Sequence, residues 1–88
     1  MKYEWDKAKR MKNIQKHGVD FTLVENFDWN TALVCPDKDT RHNEERFIAL
    51  GVIFDRLYCL IYNNRGITVR VISLRKATSN EVKRYENQ

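Results

Sequence analysis

Two apolar segments separated by only two residues constrain the fold of this chain more than any other feature. Residues 46–54 and 57–63 carry apolar side chains on both strand faces, and Asp55 and Arg56 lie between them. Strands that are apolar on both faces are typical of the centre of a sheet, and so short a connection makes them antiparallel neighbours. We therefore expect a central hairpin that is covered on both sides.

A third, unusually basic strand follows this hairpin. Asn64, Arg65 and Gly66 predict a turn, and the next residues are mostly β-formers. The segment 65–76 contains no acid and four cations: Arg65, Arg70, Arg75 and Lys76. Two interpretations are open. The cations protect an exposed edge strand from pairing with another chain, or they face RNA or another phosphate-bearing ligand.

The part of the chain before the hairpin predicts a short strand and two helices. Residues 1–5 form the strand, and Asp6 caps a helix over residues 7–16, which Gly18 ends. Asp20 caps a second, short helix that reaches about Phe27. Because the link between the two helices is so short, we expect a tight helix–helix corner.

The remaining segments complete the predicted order of elements. Residues 32–35 form a brief strand before Pro36, residues 37–43 form a polar loop, and the capping box of residues 78–81 begins a terminal helix. We expect one domain over residues 1–88 of α/β class (α+β type). The N-terminal strand and two helices would accompany an antiparallel sheet, with both helices on one face. The short C-terminal helix would cover the other face alone, or leave it partly open.

Composition restricts the classes of protein to which the chain can belong. Hydrophobic residues make up 42% and charged residues 32%, as in a soluble globular fold. No apolar segment is long enough for a membrane span or a signal peptide, which favours the cytoplasm. Cys35 and Cys59 lack metal-ligand spacing, and we expect neither a metal nor another cofactor. The net charge of +4 permits a nucleic acid or an acidic protein as partner.

The first predicted helix carries more positive charge than a solubility face needs. Its narrow apolar stripe consists of Ala8, Met11 and Ile14. Its cations are Lys7, Lys9, Arg10, Lys12 and Lys16. We expect Lys9, Lys12 and Lys16 to extend an RNA-binding surface. The competing interpretations are a solvated face and a docking site for an acidic protein segment.

Four segments, in this order, resemble the BrnT family of toxins from type II toxin–antitoxin systems. They are EWDKAK (4–9), KHGVDF (16–21), EERFIALG (44–51) and RGITVRVISLRKAT (65–78), the last followed by Glu81 and Tyr85. The resemblance spans nearly the whole chain, and RVISLRKAT with its downstream Glu and Tyr is the most specific segment.

The resemblance implies a fold similar to that of the RelE ribonuclease toxins. It further implies an endoribonuclease that arrests translation by cutting RNA and that a BrnA-like antitoxin keeps silent. Because the antitoxin of this family binds operator DNA, the resemblance implies DNA contact only through the toxin–antitoxin complex. It implies no membrane partner.

RNA cleavage without a metal uses the ribose 2′-OH as nucleophile, so the protein must supply a base, an acid and positive charge on the phosphate. An arginine fork donates to two phosphate oxygens at once. We therefore expect Arg46, Arg70 and Arg75 to hold the phosphate. A regular strand would place Arg70 and Arg75 on opposite faces, so they share a site only if the strand bulges or ends early. Alternatively, Arg70 forms a structural ion pair with Glu44 or Glu45.

The candidates for proton transfer are less specific. His17 has a suitable intrinsic pKa, although a histidine at a helix C-terminus often caps carbonyl groups instead. Glu45 or Glu44 is a candidate base if it lies beside Arg46, with a solvated glutamate as the ordinary alternative. His42, in the polar loop, is expected to be solvated. Arg65 and Lys76 are expected to contribute to RNA binding from the ends of the basic strand.

Two hypotheses from other classes compete with a ribonuclease. The same cations suit a nucleic-acid-binding module without catalysis, for which salt-dependent RNA binding with no cleaved product is expected. They also suit a protein that only binds an acidic partner, including a toxin homologue that has lost activity.

Overall fold

The structure of the chain is a computed structural model that describes residues 1–39, 41 and 43–88. His42, predicted to be solvated, lies outside the described residues. The elements in chain order are β1 (Lys2–Glu4), α1 (Lys7–His17), a 3-10 helix (Phe21–Asn26), β2 (Leu33–Pro36), β3 (Phe47–Ile53), β4 (Arg56–Arg65), β5 (Thr68–Lys76) and α2 (Ser79–Glu86). Within this described part, no helix is long and apolar enough to cross a membrane.

All five strands form a single mixed sheet in the order β1-β5-β4-β3-β2. The strands β2 to β5 pair antiparallel, and the predicted hairpin of β3 and β4 is confirmed at the centre. Strand β1, for which the sequence predicted no partner, pairs parallel with β5. A parallel pair needs a long connection, and the intervening helices and strands provide one. Local sequence patterns do not encode the direction of such a distant pairing.

One face of the sheet carries the main hydrophobic core. The 3-10 helix and the segment after it cover this face, and Phe21, Val24 and Phe27 are buried there. The predicted second, short helix is present as a 3-10 helix capped by the side chain of Asp20. These three apolar residues recur every third position, and a helix with three residues per turn directs all of them to the sheet.

Helix α1 lies along the outer edge of β5 beyond the end of β1. Its predicted caps are confirmed: the Asp6 carboxylate accepts from two backbone N–H groups, and Gly18 adopts a left-handed conformation with φ 69°. The predicted apolar stripe is not the buried side, since Met11 is 52% exposed and Asn13 is the buried residue of the helix. The physical reason is that α1 meets the polar backbone edge of a strand.

Asn13 makes the connection between α1 and this edge. Its amide nitrogen donates to the carbonyl oxygens of Leu74 (2.7 Å) and Val19 (2.8 Å), and its Oδ1 accepts from the Leu74 N–H at 3.3 Å. The side chain thus satisfies the backbone groups that a further strand would otherwise pair. Helix α1 is therefore held at a defined position beside β5.

The second face of the sheet is covered only in part. The predicted capping box at Thr78 and Glu81 is confirmed and begins α2. From α2, Glu81 binds Arg75 of β5, and Arg84 donates to the sulfur of Cys35 in β2. Because α2 has only 8 residues, it covers one part of this face, as the sequence predicted. The other part borders α1.

Candidate nucleic-acid interface

A β-bulge in β5 determines which of its side chains share a face. Residues 71 and 73 pair with adjacent residues of β4, so Ile72 is an extra residue in the ladder. Each such insertion reverses the alternation of faces. Arg70 and Arg75, which a regular strand would separate, therefore lie on the same, partly covered face. The bulge is one of the two conditions under which the sequence allowed these arginines to share a face.

A groove of about 360 Å³ lies on this face between α1 and the start of β3. It is lined by Lys9, Lys12, Asn13, Lys16, His17, Arg46, Ile72 and Ser73. The lining contains four cations and, among the described residues, no carboxylate. A groove of this composition attracts an anion such as a phosphodiester.

The three lysines reach the groove because of their spacing on α1. Lys9, Lys12 and Lys16 follow each other at intervals of three and four residues, which places them on one face of a helix. All three line the groove. The structure therefore brings together the three helix cations that the sequence singled out for RNA binding.

Arg46 supplies the fourth cation from the opposite wall. It directly precedes β3, and its carbonyl oxygen accepts from the Asp37 N–H at 2.8 Å, which fixes the backbone there. Its side chain is 16% exposed, and its Nε lies 3.3 Å from Oε1 of Glu44. The guanidinium is thus largely enclosed at the groove, with the Glu44 carboxylate beside it.

His17 lines the groove as the last residue of α1. Gly18 caps the helix, because its N–H donates to the Ile14 carbonyl oxygen at 2.8 Å. Burial lowers the pKa of the His17 imidazole, and the positive charges of Lys16 and Arg75 lower it further. A lowered pKa keeps the imidazole neutral near pH 7, in the form that accepts a proton.

Arg70 and Arg75 lie outside the groove lining and form ion pairs. Arg70 Nη1 is 2.7 Å from Oε2 of Glu4, its neighbour on β1, so the partner of Arg70 is neither Glu44 nor Glu45. The long connection that makes β1 parallel to β5 explains why this partner was not predicted. Arg75 donates to both carboxylate oxygens of Glu81, at 2.7 and 3.0 Å.

The Arg75–Glu81 pair makes folding stability depend on pH. Arg75 lowers the pKa of the Glu81 carboxyl to about 2 from its ordinary 4.5. A carboxyl with a lowered pKa in the folded state stabilises fully above its ordinary pKa and loses that contribution as pH falls toward the folded value. Glu81→Gln retains the capping box but removes the charge.

We expect Glu81→Gln to lower the free energy of unfolding by about 1–2 kcal/mol at pH 7. We expect the difference from the wild type to shrink between pH 4.5 and pH 2. Urea unfolding across this range measures both effects. Glu86→Gln is the matched control at an exposed site of the same helix. An equal loss for Glu81→Gln at pH 7 and at pH 2 would contradict the linkage.

The remaining predicted residues are dispersed. Glu45 is exposed and does not line the groove. Arg65 is exposed at the end of β4, opposite Thr68 at the start of β5, whereas Lys76 is exposed at the far end of β5. The structure therefore does not gather these three side chains at one site.

Three polar residues at or beside the groove were not identified from the sequence: Asn13, Asn63 and Ser73. Asn13 stands among charged helix residues, and Asn63 ends an apolar strand. Both side chains are important because they are buried: Asn13 is 7% exposed and Asn63 is 6% exposed. The sequence carried no signal for the burial of Asn13. For Asn63 the signal was weak, because Asn63 is a polar residue in an otherwise apolar strand.

Comparison with known proteins identifies one family. The family model described as "Ribonuclease toxin, BrnT, of type II toxin-antitoxin system" matches residues 5–81. No curated protein matches the chain.

Proposed function

This chain belongs to the BrnT family of ribonuclease toxins of type II toxin–antitoxin systems, and from that premise we propose that its cationic groove is the site of RNA cleavage. The observation that supports this proposal most strongly is that four cations and His17 line one groove. The cations are Lys9, Lys12, Lys16 and Arg46. Cleavage by the ribose 2′-OH requires a base, an acid and positive charge on the phosphate. A neutral imidazole can accept the proton, and the cations can hold the phosphodiester and protonate the leaving oxygen. The RelE-like character of the fold is part of this proposal.

In the proposed reaction, neutral His17 takes the proton of a ribose 2′-OH. The 2′ oxygen forms a bond to phosphorus, and the bond from phosphorus to the 5′ oxygen breaks. A lysine ammonium of the groove protonates the leaving 5′ oxygen. The Arg46 guanidinium donates to the non-bridging oxygens, whose negative charge grows in the transition state.

The roles of the other candidates follow from their contacts. Arg70 and Arg75 support the site through ion pairs with Glu4 and Glu81 and are not direct phosphate ligands in this proposal. Arg65, Lys76 and Glu45 lie outside the groove and take no part in the reaction.

The products of cleavage test this mechanism. Single-stranded RNA is incubated with the purified chain in the presence of a metal chelator. We expect RNA fragments with 2′,3′-cyclic phosphate and 5′-hydroxyl ends. These ends follow from attack by the 2′-OH without a metal. Mass spectrometry of the fragments identifies them. Fragments with 3′-hydroxyl and 5′-phosphate ends would contradict the mechanism, and RNA that is bound but intact would favour a binding module.

The proposal includes a protein partner. A type II toxin family implies an antitoxin, and we propose a BrnA-like antitoxin whose acidic groups meet the exposed cations of α1. Contact with operator DNA would occur only through that complex. The proposed place of action is the cytoplasm, where messenger RNA is translated.

A further inference from the structure

The side chain of Asn63 has an unused hydrogen-bonding atom beside the groove. Asn63 is 6% exposed, and its Oδ1 is the one buried side-chain polar atom without a hydrogen-bond partner among the residues that the structure describes. The Nδ2 donates to Oε2 of Glu44 at 2.8 Å. Because a carboxylate only accepts hydrogen bonds, this contact fixes the orientation of the amide and identifies the unpaired atom as the acceptor.

Asn63 lies between two arginines on the groove face of the sheet. The strand register pairs Asn63 with Arg70 of β5. On the side of β4 that faces β3, Phe47 pairs with Tyr62. The residues one position further along the two strands, Arg46 and Asn63, therefore lie beside each other. Paired residues of adjacent strands share a face. The unpaired acceptor is therefore adjacent to Arg46, which lines the groove.

The carboxylate of Glu44 lies between Asn63 and Arg46. It contacts both Asn63 Nδ2 and Arg46 Nε. The Glu44 side chain is 37% exposed, so its contact with Arg46 is weak and readily exchanged. A phosphodiester that binds Arg46 competes with the same carboxylate. Displacement of Glu44 would free the amide of Asn63 from this contact.

We propose that Asn63 recognises the sugar of the RNA: its Oδ1 accepts a hydrogen bond from the 2′-hydroxyl of a ribose that flanks the cleaved bond, in the strand whose phosphate binds Arg46. The nucleophilic 2′-hydroxyl, which has a single proton, donates to His17 instead. This inference rests on the proposed function and deepens it, because it makes Asn63 the residue that separates RNA from DNA. The 2′-hydroxyl is the donor that RNA has and DNA lacks.

Binding of matched RNA and DNA tests the inference. His17→Ala serves as background, so that bound RNA is not cleaved. The probes are a short single-stranded RNA, a DNA of the same base sequence with uracil, and a 2′-fluoro RNA, whose fluorine cannot donate a hydrogen bond. Fluorescence anisotropy at fixed salt gives each affinity. Asn63→Ala is compared with Asn64→Ala, an exposed asparagine on the opposite face of β4.

Asn63→Ala is expected to weaken RNA binding about five- to tenfold and to leave DNA binding unchanged. The 2′-fluoro RNA should bind like DNA, and Asn64→Ala should change none of the affinities. Asn63→Leu, which keeps the buried volume without the acceptor, is expected to give the same loss and guards against misfolding of the alanine variant. Thermal unfolding confirms that each variant is folded.

Three results would overturn the inference. They are an equal loss of RNA and DNA affinity, 2′-fluoro RNA binding as tightly as RNA, and a loss that follows base identity instead of the sugar. If both Asn63 variants retain the RNA preference while the wild type still cuts RNA, the inference alone fails. If the chain binds neither RNA nor DNA and leaves RNA intact, the proposed function fails with it.

Discussion

Replacing Arg46 by alanine is expected to lower the rate of RNA cleavage by the purified chain about 100- to 1,000-fold. Arg46 is the cation on the groove wall opposite α1, and its fork can donate to two phosphate oxygens as their charge grows. Its side chain is only 16% exposed, so water screens its charge little. Single-turnover cleavage of a labelled RNA measures the effect.

Two variants make this prediction specific. Arg56→Ala removes an exposed arginine at the start of β4 and changes net charge equally, so cleavage should change less than about threefold. Arg46→Lys keeps the charge but loses the fork, and an intermediate rate is expected. If Arg46→Ala and Arg56→Ala have equal effects, net charge and not groove geometry determines the rate.

Replacing Asn13 by alanine is expected to lower the free energy of unfolding by about 2–4 kcal/mol. The variant leaves the N–H and carbonyl of Leu74 and the carbonyl of Val19 without their side-chain partner. All three contacts are buried, and a buried polar backbone group without a partner is costly. Urea denaturation of wild type and variant measures the difference.

Gln15→Ala is the matched control for Asn13→Ala, because Gln15 is an exposed amide on the same helix. Its effect on unfolding is expected to stay within about 0.5 kcal/mol. A loss below about 1 kcal/mol for Asn13→Ala would contradict the assignment of Asn13 as the connection between α1 and β5.

Features that depend on neighbouring residues were predictable from the sequence. The caps Asp6, Gly18 and Thr78 lie within a few residues of the groups they satisfy, so the spacing of residue types identifies them. The central hairpin followed in the same way from two apolar segments around a short turn. The lysines of α1 reach one face because helical geometry alone places them there.

Features that depend on distant partners were not predictable. Whether Arg70 and Arg75 share a face depends on the bulge at Ile72, which the register with β4 determines. The ion pair of Arg70 with Glu4 joins residues that are 66 positions apart, and Asn13 binds Leu74 across a gap of 61. No local pattern specifies which of several carboxylates meets a given arginine once the chain has folded.

The most direct test of the central claim, that the groove of this chain cuts RNA, is expression in cells without an antitoxin. Growth and the integrity of cellular RNA are followed together for wild type, Arg46→Ala and Arg56→Ala. We expect arrested growth and fragmented RNA for wild type and Arg56→Ala, with intact RNA and normal growth for folded Arg46→Ala. Normal growth and intact RNA in cells that accumulate the folded wild-type chain would contradict the claim.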